Sequence, residues 1–276
     1  MKLSISNIAW TSNHDDEMYA IMANLGYSGI EIAPSRLFGK TPYKELHAAS
    51  VWAKELKMKY GLEVSSMQSI WFGRNENIFR SQEERQTLAD YTFEALKFAE
   101  CVGCKNLVFG CPRNRNIEGS AEFDKDSANE FFEKIGEKAA AHGVKIALEA
   151  NPVIYNTNFL NTNQEILVLF KKLRTIGLGI NLDLGAMIYN QENVKSIKEM
   201  IPLINHVHIS EPYLNKIERR SEHKALADCL AAAGYDKYIS IETGNRQSII
   251  ELTETAKYIK DVCDHAEREY PVPRTQ

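Results

Sequence analysis

Four short apolar runs in the second half of the chain each end on a residue that can ligate a metal: KIALE on Glu149, GINLD on Asp183, NHVH on His208 and YISIE on Glu242. An ionised carboxylate at the end of a buried strand is costly unless a cation, a proton or a hydrogen-bonding partner compensates it. One such residue is ordinary. Four at the same place in four successive strand–helix units point to a single site. Three carboxylates and one imidazole form a ligand set suited to one divalent ion, Mn²⁺, Mg²⁺, Co²⁺ or Zn²⁺.

Positioning these residues requires eight alternating units. The strand-like runs are LSISNIAW, SGIEIAP, EVSSMQSIWF, NLVFGCP, VKIALEA, LGINLDL, HVHIS and YISIET, short and often apolar on both faces, as buried parallel strands are. A segment of helical period follows each run. SQEERQTLADYTFEALKFAECVG opens with Ser81 and Glu84 in capping-box spacing, and Gly26, Gly61, Gly103, Gly143, Gly177 and Gly234 stand where helices give way to the next strand. Eight units without a linker predict an α/β fold, a single (β/α)₈ TIM barrel over residues 1–276, with a loose tail after about residue 264. No G-x-G-x-x-G or Walker loop follows any strand, which weighs against a nucleotide-binding fold.

The site of such a barrel lies at the C-terminal ends of its strands. Alternate residues of a strand share a face, so Asn151, Asn181 and His206, each two positions from a ligand, are expected to point inward as well. The first four strands end in neutral groups, Asn7, Trp10, Gln68 and Trp71, which suit an uncharged polyol, and Trp10, Trp71 and Phe72 offer stacking surfaces for a sugar ring. Glu31 either backs a ligand or pairs with Arg36. The expected substrate contacts are Asn7, Trp10, Gln68, Asn151, Glu211 and Arg246. Arg113 and Arg115 follow strand four, and Lys216, Arg219, Arg220 and Arg246 lie in loops after strands seven and eight, where barrels of this kind often bind phosphate.

Bulk properties narrow the classes. Among 276 residues, 44% are apolar and 25% charged, ordinary values for a globular protein, and the net charge of −4 gives no basic field for nucleic acid. No apolar run approaches the roughly 18 residues that span a membrane, and the N-terminus lacks a signal-peptide pattern, so a cytoplasmic protein is expected. Five cysteines fit reduced thiols better than a disulfide framework, and Cys101-x-x-Cys104 has no second pair to complete a zinc site. Homo-oligomerisation is left open.

These residues resemble the xylose isomerase-like TIM barrels of the sugar phosphate isomerase/epimerase type, over essentially the whole chain. The most specific parts are Glu149 in LEANP, Asp183 in NLDLG, His208 in HVHISEP and Glu242 in SIETG. By that resemblance the four bind one divalent metal, and Glu149 and Glu242 face each other across the substrate as acid/base groups. The resemblance implies a metal-dependent isomerase or epimerase that removes a proton beside the carbonyl of a sugar or sugar phosphate, the metal stabilising the enediolate. A dehydratase acting on a keto-polyol, or a sugar-binding barrel without activity, are the alternatives. Two departures stand out. The epimerases and the related apurinic endonucleases carry D-x-x-H at strand six, where this chain has Asp183-Leu184-Gly185-Ala186. Tyr155, six residues beyond Glu149, replaces a substrate-binding Glu of the epimerases.

Overall fold

A computed structural model describes residues 1–117 and 125–271. Strands β1 (Lys2–Ser6), β2 (Gly29–Ile32), β3 (Glu63–Met67), β4 (Asn106–Phe109), β5 (Lys145–Glu149), β6 (Leu178–Asp183), β7 (Ile204–Ile209) and β8 (Tyr238–Ile241) follow one another around the barrel, and β8 pairs in parallel with β1 to close it. The interleaved helices are α1 (Asp15–Asn24), α2 (Pro34–Phe38), α3 (Leu46–Tyr60), α4 (Gln82–Val102), α5 (Lys125–Ala141), α6 (Asn163–Phe170), α7 (Leu184–Tyr189), α8 (Ser221–Ala232) and α9 (Ile249–Glu269). The expected (β/α)₈ barrel is thus observed. Among the described residues, no helix is long and apolar enough to cross a membrane.

Several local boundaries have simple causes. β1 was expected to reach Trp10, but the chain turns at Asn7–Ala9, where the Ser6 side chain accepts a hydrogen bond from the Ile8 amide. β3 stops at Met67, and Ser69 then adopts the left-handed region at φ 52°. Ser81 caps α4, yet the Glu84 carboxylate accepts from the Asn77 amide instead of completing a capping box; a full box forms at Ser248 and Glu251 of α9. The tail is corrected: α9 runs on to Glu269 with Ala266 fully buried, so the chain is still packed beyond residue 264. Residues 272–276 lie outside the described part.

Strand alternation divides the core in two. Ile5, Ile30, Ile32, Leu107, Phe109, Ile146, Leu148, Ile180, Leu182, Val207, Ile239 and Ile241 are buried in the large apolar cluster that includes helix residues such as Phe98, Phe132, Ile166 and Ile259. The alternate positions are mostly polar and satisfy one another inside the barrel. Ser4 and Ser65 share a 2.6 Å hydrogen bond, and Asn106 donates to Ser66 at 2.9 Å while accepting from Asn205 at 2.6 Å. Register shifts between Ile30 and Glu31 against β3, and between Ile180 and Asn181 against β7, each insert one extra residue. Such bulges let consecutive residues, Ser65 with Ser66 and Asn205 with His206, make contacts inside the barrel where strict alternation allows one.

Candidate metal centre at the barrel mouth

The pairing register brings the four strand-end residues together. Asn181 pairs with Glu149 on one side and His206 on the other, Asp183 with His208, and His208 with Ser240, two residues before Glu242. The candidate ligand atoms of Glu149, Asp183, His208 and Glu242 all lie within 4.8 Å of one another. His208 Nδ1 is the hub: Glu149 Oε1 is 3.0 Å away, Glu242 Oε2 3.1 Å and Asp183 Oδ2 3.8 Å. Among the described residues, no lysine or arginine forms an ion pair with any of the three carboxylates. They are all buried, each at 9% exposure.

Each candidate ligand is held by its own neighbours. Asn151 Nδ2 donates to Glu149 Oε2 at 2.9 Å and Asn181 Nδ2 to Glu149 Oε1 at 2.6 Å. The fully buried Arg115 donates to the Glu149 carbonyl at 2.9 Å. Asp183 ends β6 and caps α7, so Oδ1 accepts from the Ala186 amide, while Ser210 donates to Oδ2 at 2.6 Å. This capping turn is formed by the Asp183-Leu184-Gly185-Ala186 run. Gly185 permits it: a Cβ there would lie 2.5 Å from Ser210 Oγ and 3.0 Å from the Glu211 carbonyl carbon. His208 Nε2 reaches a Glu31 oxygen at 3.0 Å from across the barrel, and Arg36 pairs with Asp15 instead.

The electrostatics follow from this crowding. Burial, with Glu149 and Glu242 nearby, pushes the Asp183 carboxyl up to about 7. Burial also raises Glu242 against the pull of His208. For Glu149 burial is outweighed by His208, Asn151 and Arg115, and its carboxyl sits below the usual value. Burial would lower His208, but Glu242, Glu31 and Glu149 hold it well above an ordinary imidazole. Three buried carboxylates crowded on one imidazole are a charge excess that a divalent cation would neutralise. The donor set therefore fits such an ion.

The three carboxylates open on a cavity of about 440 Å³ lined also by Gln68, Trp71, Phe72, Gly110, Asn151 and Tyr155. The structure thus brings Gln68 and Asn151 to the cavity, as expected, but other nominated residues are placed elsewhere. Asn7 is fully buried and accepts from the Ala33 amide at 2.9 Å. Trp10 is packed beneath its loop, with Nε1 donating to Asp15 at 2.7 Å. Glu211 is taken up by Arg220 in a two-point ion pair, at 2.6 and 2.8 Å, and so anchors the loop after β7. Arg246 is exposed and does not line the cavity. Of the six loop cations nominated for phosphate, only Arg113 lines it. Of the three aromatic candidates, Phe72 lines the cavity and is 69% exposed, Trp71 is buried with Nε1 on Thr92, and Trp10 is away from it. Cys101 and Cys104 are separate thiols, bonded to the carbonyls of Leu46 and Asn106.

Sequence reasoning missed Ser210 and Gly110. Ser210 follows His208 by two residues, and the same spacing argument that found Asn151 would have found it. Gly110 gives no side-chain signal, yet a Cβ there would lie 2.7 Å from Glu149 Oε2.

Fold and site together define a (β/α)₈ barrel with a carboxylate–imidazole cluster, fit for a divalent cation, at the C-terminal ends of β5–β8. The chain belongs to the xylose isomerase-like TIM barrel family, whose description matches residues 19–268. No curated protein matches it. Among solved structures it is similar to D-psicose 3-epimerase from Clostridium cellulolyticum H10, at 17% identity and TM-score 0.76 over 96% of this chain and 99% of that one. It is also similar to 3-keto-D-glucoside 4-epimerase from E. coli, at 19% identity and TM-score 0.74 over 97% and 99%. A sugar phosphate isomerase/epimerase from Parabacteroides distasonis aligns at 14% identity and TM-score 0.70 over 96% and 94%. At these identities the likeness establishes the shared barrel.

Proposed function

We propose that this chain is a metal-dependent isomerase or epimerase of a sugar or sugar derivative. The observation that carries the reading is the convergence of three buried carboxylates on His208 Nδ1, without a lysine or arginine ion pair among the described residues, at the floor of a cavity. Glu149, Asp183, His208 and Glu242 would hold the ion. A divalent cation held there would stabilise the negative charge that develops on a carbonyl oxygen as the neighbouring C–H bond breaks.

The chain's own groups supply the rest. Glu149 and Glu242 come from β5 and β8, on different sides of His208, so they can serve opposite faces of one carbon. Their environments differ in direction: Glu149 is held charged by His208, Asn151 and Arg115, while Glu242 is raised and retains a proton more readily. One carboxylate takes the proton, and the C–H electron pair moves onto the carbonyl. Return of a proton to the other face inverts the centre, and return to the neighbouring carbon isomerises. Gln68 and Asn151 offer hydrogen bonds to hydroxyls, and the exposed Phe72 offers a stacking face at the cavity. The fit of the structural neighbours, two of them named as sugar epimerases, supports the same class.

The test is incubation of the cation-loaded protein with free and phosphorylated ketoses in heavy water, followed by NMR. Deuterium beside the carbonyl of an isomeric product, abolished by a chelator, is expected. Loss of a β-hydroxyl as water would instead identify a dehydratase.

A further inference from the structure

Behind the ligands lies a second group of buried side chains, Glu31, His206 and His208, whose ligand-type atoms are also within 4.8 Å of one another. Glu31 and both imidazoles are at 0% exposure. His208 belongs to both groups, with Nδ1 facing the three carboxylates and Nε2 at 3.0 Å from Glu31. His206 approaches Glu31 at 3.5 Å.

The hydrogen-bond direction at His208 Nε2 can be assigned from chemistry alone. The terminal atom of Asn181 that lies 2.6 Å from Glu149 Oε1 must be its NH₂, because an amide oxygen at that distance from a carboxylate would be repelled. The same NH₂ lies 3.1 Å from His208 Nδ1, beside the Glu149 and Glu242 oxygens at 3.0 and 3.1 Å, so Nδ1 is the nitrogen turned to the cluster. At the other end of the ring, Glu31 can only accept while ionised. An acceptor at Nε2 keeps a proton on that nitrogen and leaves Nδ1 as the atom that would meet a cation. We infer that Glu31 is a positioning residue which keeps a His208 proton on Nε2 and aims Nδ1 at the Glu149–Asp183–Glu242 cluster.

This inference rests on the proposed metal centre and names what prepares its one nitrogen ligand. A ring held by a carboxylate behind it is a stronger ligand, and losing such a partner commonly weakens metal affinity about 10–100-fold. A second cation on the Glu31–His206–His208 side, beside one on Nδ1, would have to displace the Nε2 proton and turn His208 into an imidazolate bridge. The Glu31 contact favours one ion and one retained proton.

The experiment has two arms. In wild-type protein labelled with ¹⁵N-histidine and loaded with Zn²⁺, the His208 ring is expected to show a protonated Nε2 and a metal-shifted Nδ1. In Glu31→Gln, titration with Co²⁺ is expected to give one ion per chain with a Kd about 10–100-fold higher, at a far-UV spectrum matching wild type. The inference is overturned by a proton on Nδ1, by metal on Nε2, by unchanged Co²⁺ affinity in folded Glu31→Gln, or by a second ion that Glu31→Gln removes. Should Glu31→Gln fail to fold, the wild-type spectrum decides alone. A wild-type chain that binds no divalent ion would instead sink the metal centre itself, so the two failures are distinguishable.

Discussion

Glu31 and His208 stand on β2 and β7, with β8 and β1 between them, yet their side chains meet at 3.0 Å inside the barrel. The half of the barrel that carries the Glu149–Asp183–His208–Glu242 cluster is thereby tied to the opposite half. Burial alone would raise Glu31, but His208 and His206 hold it well below the usual carboxylate range, so it stays an acceptor. The polar interior seen in Ser4, Ser65, Ser66, Asn106 and Asn205 continues upward through this pair to the mouth.

The centre should make stability depend on pH in a way that a cation reverses. Asp183, at about 7, and Glu242 are raised above ordinary carboxylates. A carboxyl raised by folding contributes stability that is present below its unfolded value, about 4, and is lost as pH rises through its folded value. Chelator-treated protein is therefore expected to lose stability from these groups between about pH 4 and 7. A bound cation should remove that loss. His206 and His223, lowered chiefly by burial, act in the opposite sense, so the readout is the difference between loaded and chelated samples. The Tm gap should widen by several degrees between about pH 5.5 and 8, at roughly 2–4 °C per kcal/mol for a chain of this size. An equal gap at both pH values would refute the assignment.

Glu149→Gln and Glu242→Gln each should lower turnover by about 10²–10⁴-fold if each carboxylate handles a proton. Where the metal is retained, a single variant should still exchange the substrate hydrogen on the face served by the remaining carboxylate. Metal content must be measured beside activity, because both residues are also expected ligands. Two variants with full metal and full activity would remove these residues from the chemistry.

Gly110→Ala should disturb the site with little effect on the fold. The new methyl would lie 2.7 Å from Glu149 Oε2 and 3.6 Å from Asn151 Oδ1. The Glu149 carboxylate could swing away only by giving up its bonds to Asn151 and Asn181. Cation affinity about tenfold weaker is expected, with stability within about 1 kcal/mol of wild type. Unchanged affinity would show that Glu149 is not held where it ligates.

Much of this centre was legible because its chemistry sits where composition changes abruptly. Glu149, Asp183, His208 and Glu242 end apolar runs, and the two-residue period placed Asn151, Asn181 and His206 beside them. Glu31 was visible as a charge in an apolar strand, but its partner lies 177 positions away and across the barrel, which no local pattern encodes. The bulges were hidden because they depend on how neighbouring strands pair. The six-residue α7 was too short to show a helical period, although Asp183 with an amide three residues on is an ordinary cap. Glu211 and Arg246 were placed by loop position alone, and loop geometry sent one to Arg220 and the other to solvent.

The central claim is that Glu149, Asp183, His208 and Glu242 form one divalent-cation site. Calorimetric titration of the chelator-treated chain with Mn²⁺ near pH 7.5, beside Asp183→Asn, tests it most directly. One ion per wild-type chain is expected, with affinity lowered at least about tenfold by Asp183→Asn, which removes an anionic ligand at nearly constant shape. No Mn²⁺ bound to the wild type, or equal affinity in Asp183→Asn, would contradict it.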